Sequence, residues 1–550
     1  MQDLRLLLFI INDNKQHKNF TLSTFLLYFN TLRRLKWSQF LHLLWYRLIK
    51  KHFIKFKNYN KYDQFSLHPE FVSSLVYPME AKYRENSGFI IFHRAQRFDG
   101  CPDWSFQGYG KLWNYHLQYL EVLMDDSLAS DLRMQWLLNL SQQLIQGSLK
   151  QEPYPVSMRI IYSLQFLSKY PASDPIIKTA IQTQIAYLED NLETHLSGNH
   201  LMENYLSLVF AHMALRHPTK LNYFVNNLIK ELDSQILDDG AHYELCLSYH
   251  AAIFCRLSGI IQLLRNSEYD AQRLMILEGY AGKMYTWMNS ITLGFNIFPL
   301  INDSVAWPLE NWMAIRKLAM EMGLDHKNLH LSDSGYRWLH NEPYQLLMRT
   351  APFLVQHQPG HQHADYLNIC LYLGTEPILI DPGISTYEGN EERLKQRGTS
   401  NHNLIVENLE DNQSEIWSAF RMGRRAKVKC IESGPEKLYS KVRWYQGHVH
   451  HRRIEKVIDG LQIWDTFEST KLKDQKGIAI FHFDGAVGEI KVDSASIHLV
   501  EKAITFHFFG AESITKQTYL QNFGFNDSRK AERIMVYFCG QLQTKISRKP

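Results

Sequence analysis

The chain has 550 residues, 45% hydrophobic and 21% charged, the composition of a packed globular protein long enough for several domains, which excludes disordered, collagen-like and coiled-coil classes. Sixty Lys and Arg against 56 Asp and Glu leave a net charge of +4, too balanced for a chain whose main partner is a nucleic-acid backbone, though compatible with a local anionic substrate. Thirty Phe, 29 Tyr and 12 Trp suit stacking on sugar rings, a use they share with core packing.

Six cysteines, at 101, 246, 255, 370, 430 and 539, stand singly without a CxxC pair and are expected to be buried thiols. No window approaches ~20 uninterrupted apolar residues, so no membrane span is expected. Residues 4–11 form an apolar run, but no basic stretch precedes it and no small-residue cleavage site follows, so the run does not read convincingly as an export signal. Between residues 14 and 61 there is no acidic side chain, while Arg33, Arg34, Lys36, Arg47, Lys50, Lys51, Lys55 and Lys57 alternate with Leu, Trp, Phe and Ile. This stretch predicts one or two basic amphipathic helices, which either lie on an anionic membrane surface or pack their apolar stripe on the next domain.

From about residue 110 to 323 helical periodicity dominates, as at 112–123, 132–144, 160–167, 176–188 and 206–215, with short Gly, Pro and Asp joints. Such a run builds a bundle, a solenoid or a closed ring of helical hairpins. After residue 344 the period falls to 2, as at 367–373, 477–483, 497–500 and 504–508, which predicts an antiparallel sandwich. The expected order is a basic helical segment (1–70), a helical domain (71–343) and a strand domain (344–550).

Three clusters in the helical half carry chemistry-bearing side chains. Arg159 lies in the opening turns of a Pro-started helix, Asn199 and His200 stand where the next helix should begin, with Asn199 a possible N-cap, and residues 238–250 bring Asp239, His242, Tyr243, Glu244, Tyr249 and His250 to a turn and the helix after it. In the strand half, alternation puts His361, His363 and Asp365 on one face if a strand begins that early, and Asp381 and His402 follow at turns. Imidazole and carboxylate ligands of this kind suit Zn²⁺ before Mg²⁺ or Ca²⁺.

Taken in order, YPVSMR (154–159), GNHLMEN (198–204), DDGAHYELCLSYH (238–250), HQHADYLNICLYLG (361–374), PILIDPG (377–383), RGTSNHN (397–403) and QSEIWSAFRMGRRA (413–426) resemble the heparinase II/III-like family of polysaccharide lyases. The resemblance implies an α+β chain, an (α/α) toroid of helical hairpins followed by an antiparallel β-sandwich, with the active site between them. It implies β-elimination on a uronic-acid-containing polysaccharide in the cell envelope or periplasm, while the N-terminus, with no convincing export signal, leaves a cytoplasmic or membrane-associated place open. Asn199 and His200 then fall at the positions that hold the substrate carboxylate, Tyr249 at the catalytic tyrosine, and His361 reaches in from the sandwich, with Arg159, Tyr243 and Glu244 as further substrate contacts. Zinc ligands of relatives map to His363, Asp381 and His402, which implies one structural Zn²⁺ and no organic cofactor.

The chemistry explains these residue types. The C5 proton of a uronate is weakly acidic until the adjacent carboxylate is neutralised, and preorganised donors facing a developing charge are worth about 3 to 4 kcal/mol each. A free phenol titrates near ~10, so Tyr249 acts as base only beside cations and otherwise as acid, with His200 or His361 taking the other role. Three other readings compete. An inverting hydrolase would use Glu203, Asp239 or Glu244. A metallohydrolase would use HQHAD, although Tyr366 stands where its signature has a last histidine. A lyase-like protein would bind or trim envelope polysaccharide during its biosynthesis.

Overall fold

The computed structural model describes residues 22–45, 80–172, 174–267, 269–324, 331–350, 357–470 and 475–548. The apolar run at 4–11 and half of the basic stretch (14–21 and 46–61) lie outside them. What is described of that stretch forms two helices, α1 (Leu22–Leu32) and α2 (Trp37–Trp45). A small antiparallel sheet follows, β1 (Ala81–Arg84), β2 (Gly88–Ile91) and β3 (Arg94–Gln96), in a region expected to be helical. Its signal is the polar turn ending in Gly88, which has φ +76° and sits so close to the Gln96 carbonyl that a Cβ there would clash.

The helical domain runs α3 (Lys111–Tyr119), α4 (Ser130–Ile145), α5 (Pro153–Lys169), α6 (Pro175–Asp190), α7 (Gly198–Ala214), α8 (Pro218–Gln235), α9 (Leu247–Arg265), α10 (Ala271–Ile291) and α11 (Leu309–Glu321). Odd-numbered helices pack on one another in succession, while α4 packs on α6 and α8 on α10 outside them, giving the two layers of an (α/α) toroid. Sequence decides the layer. In α7 15 of 17 residues are buried and in α9 16 of 19, whereas α8 buries only 5 of 18, a single apolar stripe. α9 is apolar enough to cross a membrane by composition, yet it is an inner wall of this ring.

The sandwich begins at Tyr336, ahead of the expected 344, with the sheet β4 (Tyr336–Asn341), β5 (Tyr344–Arg349), β6 (Ile369–Leu373) and β7 (Glu376–Leu379). A short helix, α12 (Glu391–Arg397), leads to the second sheet. Its members are β8 (Ile405–Val406), β9 (Lys427–Ser433), β10 (Lys437–Arg443), β11 (Val449–Val457), β12 (Gly460–Glu468), β13 (Lys476–His482), β14 (Ile490–Val492), β15 (Ser496–Leu499), β16 (Ile504–Gly524) and β17 (Asp527–Arg548). All pairings are antiparallel, in the order β14-β15-β16-β17-β12-β11-β10-β9, with β13 also pairing β17 and β8. A core of Leu346, Ile369, Leu371, Ile405, Phe481, Phe506, Ile534 and Val536 fills the space between the sheets. Cys246, Cys255 and Cys370 are buried as expected, but Cys101, Cys430 and Cys539 are exposed.

Candidate active site between the helical ring and the sandwich

The inner helices deliver their first turns to the junction with the sandwich. Ahead of α7, Ser197 and Gly198 both take positive φ, 60° and 63°, folding the chain sharply into the helix. Asn199 therefore stands inside the first turn, not at the N-cap, and its backbone N–H donates to Glu244 Oε1 at 3.3 Å. The start of α9 is held by the loop after α10, since Leu247 N–H donates to Ser304 Oγ at 2.8 Å, which sets Asp303 beside Tyr249. Helix N-termini carry partial positive charge, so α7 and α9 both favour an anion here.

From the sandwich, Arg397 donates to the carbonyls of Pro359, Gln362, Ser418 and Ala419, drawing the His361 and Phe420 loops together. The segment holding His361 and His363 is consequently irregular, and strand β6 begins only at Ile369, so the expected alternation on one strand face does not exist. Asp365 turns away to pair with Arg349, which leaves HQHAD unable to form a metallohydrolase ligand set.

Asp303 ties the two domains. Its carboxylate accepts from both Arg393 terminal nitrogens at 2.6 Å, from His361 Nδ1 at 2.7 Å and from His363 Nε2 at 2.8 Å. Burial alone would raise its pKa, but Arg393 and the two imidazoles outweigh burial and hold it well below the usual carboxylate range. An ionised Asp303 requires the proton of His361 on Nδ1, leaving the Nε2 lone pair free on the neutral ring. That Nε2 lies 3.9 Å from Glu244 Oε2.

The hydroxyls of Tyr249 and Tyr387 are 2.8 Å apart, and that of Tyr387 lies 3.3 Å from His361 Nδ1. Burial first, then the nearby Cys246 thiol and Asp303, push the Tyr249 phenol well above 10, so it is a proton donor at neutral pH. Arg393 stacks on Tyr387 and Phe420, 4.8 and 5.6 Å from their ring centres. On the ring side His200, with 32% of its side chain exposed, packs on Tyr154 at 4.5 Å and places Nδ1 3.2 Å from Glu193. Burial works against its charge, but Glu193, Glu244 and Glu203 outweigh it and raise its pKa. Asn199 Oδ1 and Glu244 Oε2 are buried without hydrogen-bond partners among the described residues. Asn199, His200, Tyr249 and His361 thus converge around Glu244.

The three expected substrate contacts are buried side chains. Arg159 is fully buried, donating to Gln118, Gln151 and Gln184, and burial pushes its pKa down to about 9. Tyr243 is buried beside Ser197 and Gly198, and Glu244 is buried beneath Asn199, so both shape the turn. The carboxylates a hydrolase would need are committed elsewhere, Glu203 to Arg256 at 2.8 Å and Asp239 to Asp333 and Ser334. Tyr387, Asp303, Arg393, Glu193 and Phe420 are functional neighbours the sequence did not reveal.

His363, Asp381 and His402 are buried and each offers a ligand atom within 4.8 Å of the others. With His363 Nε2 on Asp303, its Nδ1 has no partner among the described residues, nor has His402 Nε2, whose other nitrogen lies 3.0 Å from Asp381. Two orphaned buried imidazole nitrogens beside a carboxylate fit a zinc ion. A separate cavity of about 300 Å³, lined by Leu247, Ser304, Trp307, Trp312, Tyr372 and Asp381 among others, contains none of Asn199, His200, Tyr249 and His361.

Residues 165–327 match the heparinase II/III N-terminus and residues 325–547 the heparinase II/III-like C-terminal region, together more than half of the chain. In structure the chain is similar to a crystal structure of heparinase III, with a TM-score of 0.66 and 16% identity over 82% of this chain and 80% of that one. It is also similar to a mutant of the heparan sulfate lyase HepC from Pedobacter heparinus, with a TM-score of 0.57 and 15% identity over 93% of this chain and 88% of that one. At such identities the likeness is one of fold. No curated protein matches the chain in sequence.

Proposed function

This chain belongs to the heparinase II/III-like family, and on that premise we propose that it is a polysaccharide lyase acting on a uronic-acid-containing polymer of the cell envelope by β-elimination. The observation that carries the reading is the series Tyr249, Tyr387, His361 and Asp303, with 2.8, 3.3 and 2.7 Å between successive polar atoms. A phenol that keeps its proton stands next to an imidazole whose tautomer is fixed.

In the proposed reaction the uronate carboxylate meets cationic His200, the Asn199 side chain and the first turn of α7. Neutralised in this way, C5 gives its proton to His361 Nε2, and the imidazolium is stabilised through Nδ1 by Asp303 and by the nearby Glu244. The C4–O4 bond breaks with its electron pair going to oxygen, Tyr249 protonates that oxygen, and a C4=C5 double bond remains. Tyr387, between Tyr249 and His361, offers the path by which Tyr249 regains a proton. No water attacks, so no pair of catalytic carboxylates is required, in contrast to hydrolysis.

His363, Asp381 and His402 would hold one Zn²⁺, which supplies a cross-link between the loops of the sandwich and fixes His363 against Asp303; no step runs through it. The test is incubation with heparan sulfate, unsulfated glucuronate polymers and alginate, followed by ultraviolet absorbance of the unsaturated end. The expected result is absorbance growth with at least one polymer, reduced at least about 1,000-fold in Tyr249→Phe. Reducing ends formed without new absorbance would indicate hydrolysis and overturn the proposal.

A further inference from the structure

We propose that the cavity of about 300 Å³ between the ring and the sandwich is a second binding site, for one neutral sugar unit, an inference that does not depend on the lyase reading. Its ring-side wall includes Phe298 and Trp307, from the segment joining α10 to α11, and Trp312 of α11. Its sandwich-side wall includes Tyr372 of β6, Asp484 just after β13, and Phe523 of β16. The Ala306 N–H donates to the Phe523 carbonyl at 2.7 Å and joins the two walls. Sites for small ligands favour such domain junctions and span about 300 to 1,000 Å³, so this one has room for a single small molecule.

The lining offers three kinds of contact. Trp312 stacks on Phe298 and on Trp307, with ring centres 4.8 and 5.1 Å apart and interplanar angles of 22° and 29°. Near-parallel rings make a flat apolar wall suited to the C–H face of a sugar, and they do not surround a cation as an aromatic cage does. Tyr372 is only 5% exposed, and its hydroxyl has no hydrogen-bond partner among the described residues, a deficit that a ligand oxygen removes. Asp484 accepts from Gln521 Nε2 at 2.7 Å and from the Ala486 N–H at 2.8 Å, so its carboxylate is held in place with lone pairs still to offer.

Charge and hydrogen bonding together select the ligand. Asp381 and Asp484 line the cavity, and among the described residues no Lys, Arg or His does. A zinc ion on Asp381 would offset that charge and leave the charge of Asp484. A uronate or a phosphate therefore meets a like charge with no counter-ion, which costs free energy. A wholly apolar ligand would leave Tyr372 and Asp484 unsatisfied. Sugar hydroxyls both donate and accept, so a neutral sugar lying on the aromatic wall satisfies both side chains. The candidate active site, with cationic His200, has the opposite preference and shares none of Asn199, His200, Tyr249 and His361 with this cavity.

The full chain is titrated by calorimetry with D-glucose, D-mannose, D-galactose, D-glucuronate and tetramethylammonium. The expected result is that at least one neutral hexose binds at least ten-fold more tightly than D-glucuronate and than tetramethylammonium. Tyr372→Phe removes only the unpaired hydroxyl, so it should weaken that binding about five-fold with melting temperature unchanged. Asp484→Asn should narrow the preference over D-glucuronate, and His200→Ala should leave hexose binding as in wild type. Absence of hexose binding, D-glucuronate or tetramethylammonium binding as tightly as the hexoses, or undiminished hexose binding in Tyr372→Phe overturns the proposal. Hexose binding lost in His200→Ala would place the sugar in the candidate active site and also overturn it.

Discussion

Replacing Asp303 by Asn keeps the shape of the side chain and removes its charge. The carboxylate accepts four hydrogen bonds of 2.6 to 2.8 Å from three side chains and is fully buried, as is Arg393. Depriving a buried ion of its partner costs about 3 to 5 kcal/mol, against a typical total stability of about 5 to 15 kcal/mol. Over 550 residues the Asp303→Asn variant is therefore expected to melt about 3 to 4 °C below wild type by scanning calorimetry. The pH dependence has a definite sign. A carboxylate whose pKa is depressed in the folded state contributes stability that is complete above its unfolded pKa and is lost as pH falls through the folded one. The gap between variant and wild type should stay constant above about pH 5 and close only in stronger acid. A melting temperature within about 2 °C of wild type, or a gap that closes between pH 5 and 8, would refute the assignment of Asp303 as the ion that joins the domains.

In Glu193→Gln the charge that raises the His200 pKa is gone. Since a cationic His200 is present below its pKa and lost above it, the alkaline limb of kcat/KM should move toward acid by about one unit in a pH–rate profile. Gly198→Ala puts a Cβ 2.2 Å from Glu244 Oε1 and 2.7 Å from Gln358 Nε2 at a φ of +63°. It should cost about 1 to 2 kcal/mol in denaturant unfolding and lower turnover by displacing Asn199. Metal analysis of purified protein should give about one zinc per chain, absent in His363→Ala and in His402→Ala, and chelation should lower the melting temperature.

The two halves of the fold were legible because their hydrophobic periods differ, 3.6 for α4 to α7 and 2 for β6, β13 and β15. The small sheet β1 to β3 escaped because its strands have only three or four residues, too short for alternation to register. Asn199, His200, Tyr249 and His361 were legible through the ordered motifs around them. Asp303, Tyr387 and Arg393 were not, because each owes its role to partners at least 26 residues away and stands in no pattern of its own. Arg159 misled for the converse reason. A lone arginine near a helix start reads as an anion contact, and only the three glutamines that surround it in space show that it is core.

The single carboxylate at residue 303 sits on the ring, whereas both imidazoles it orients come from the sandwich. In the proposed reaction a ring without its sandwich therefore lacks the His361 base, and a sandwich without its ring lacks the carboxylate that sets the His361 and His363 tautomers.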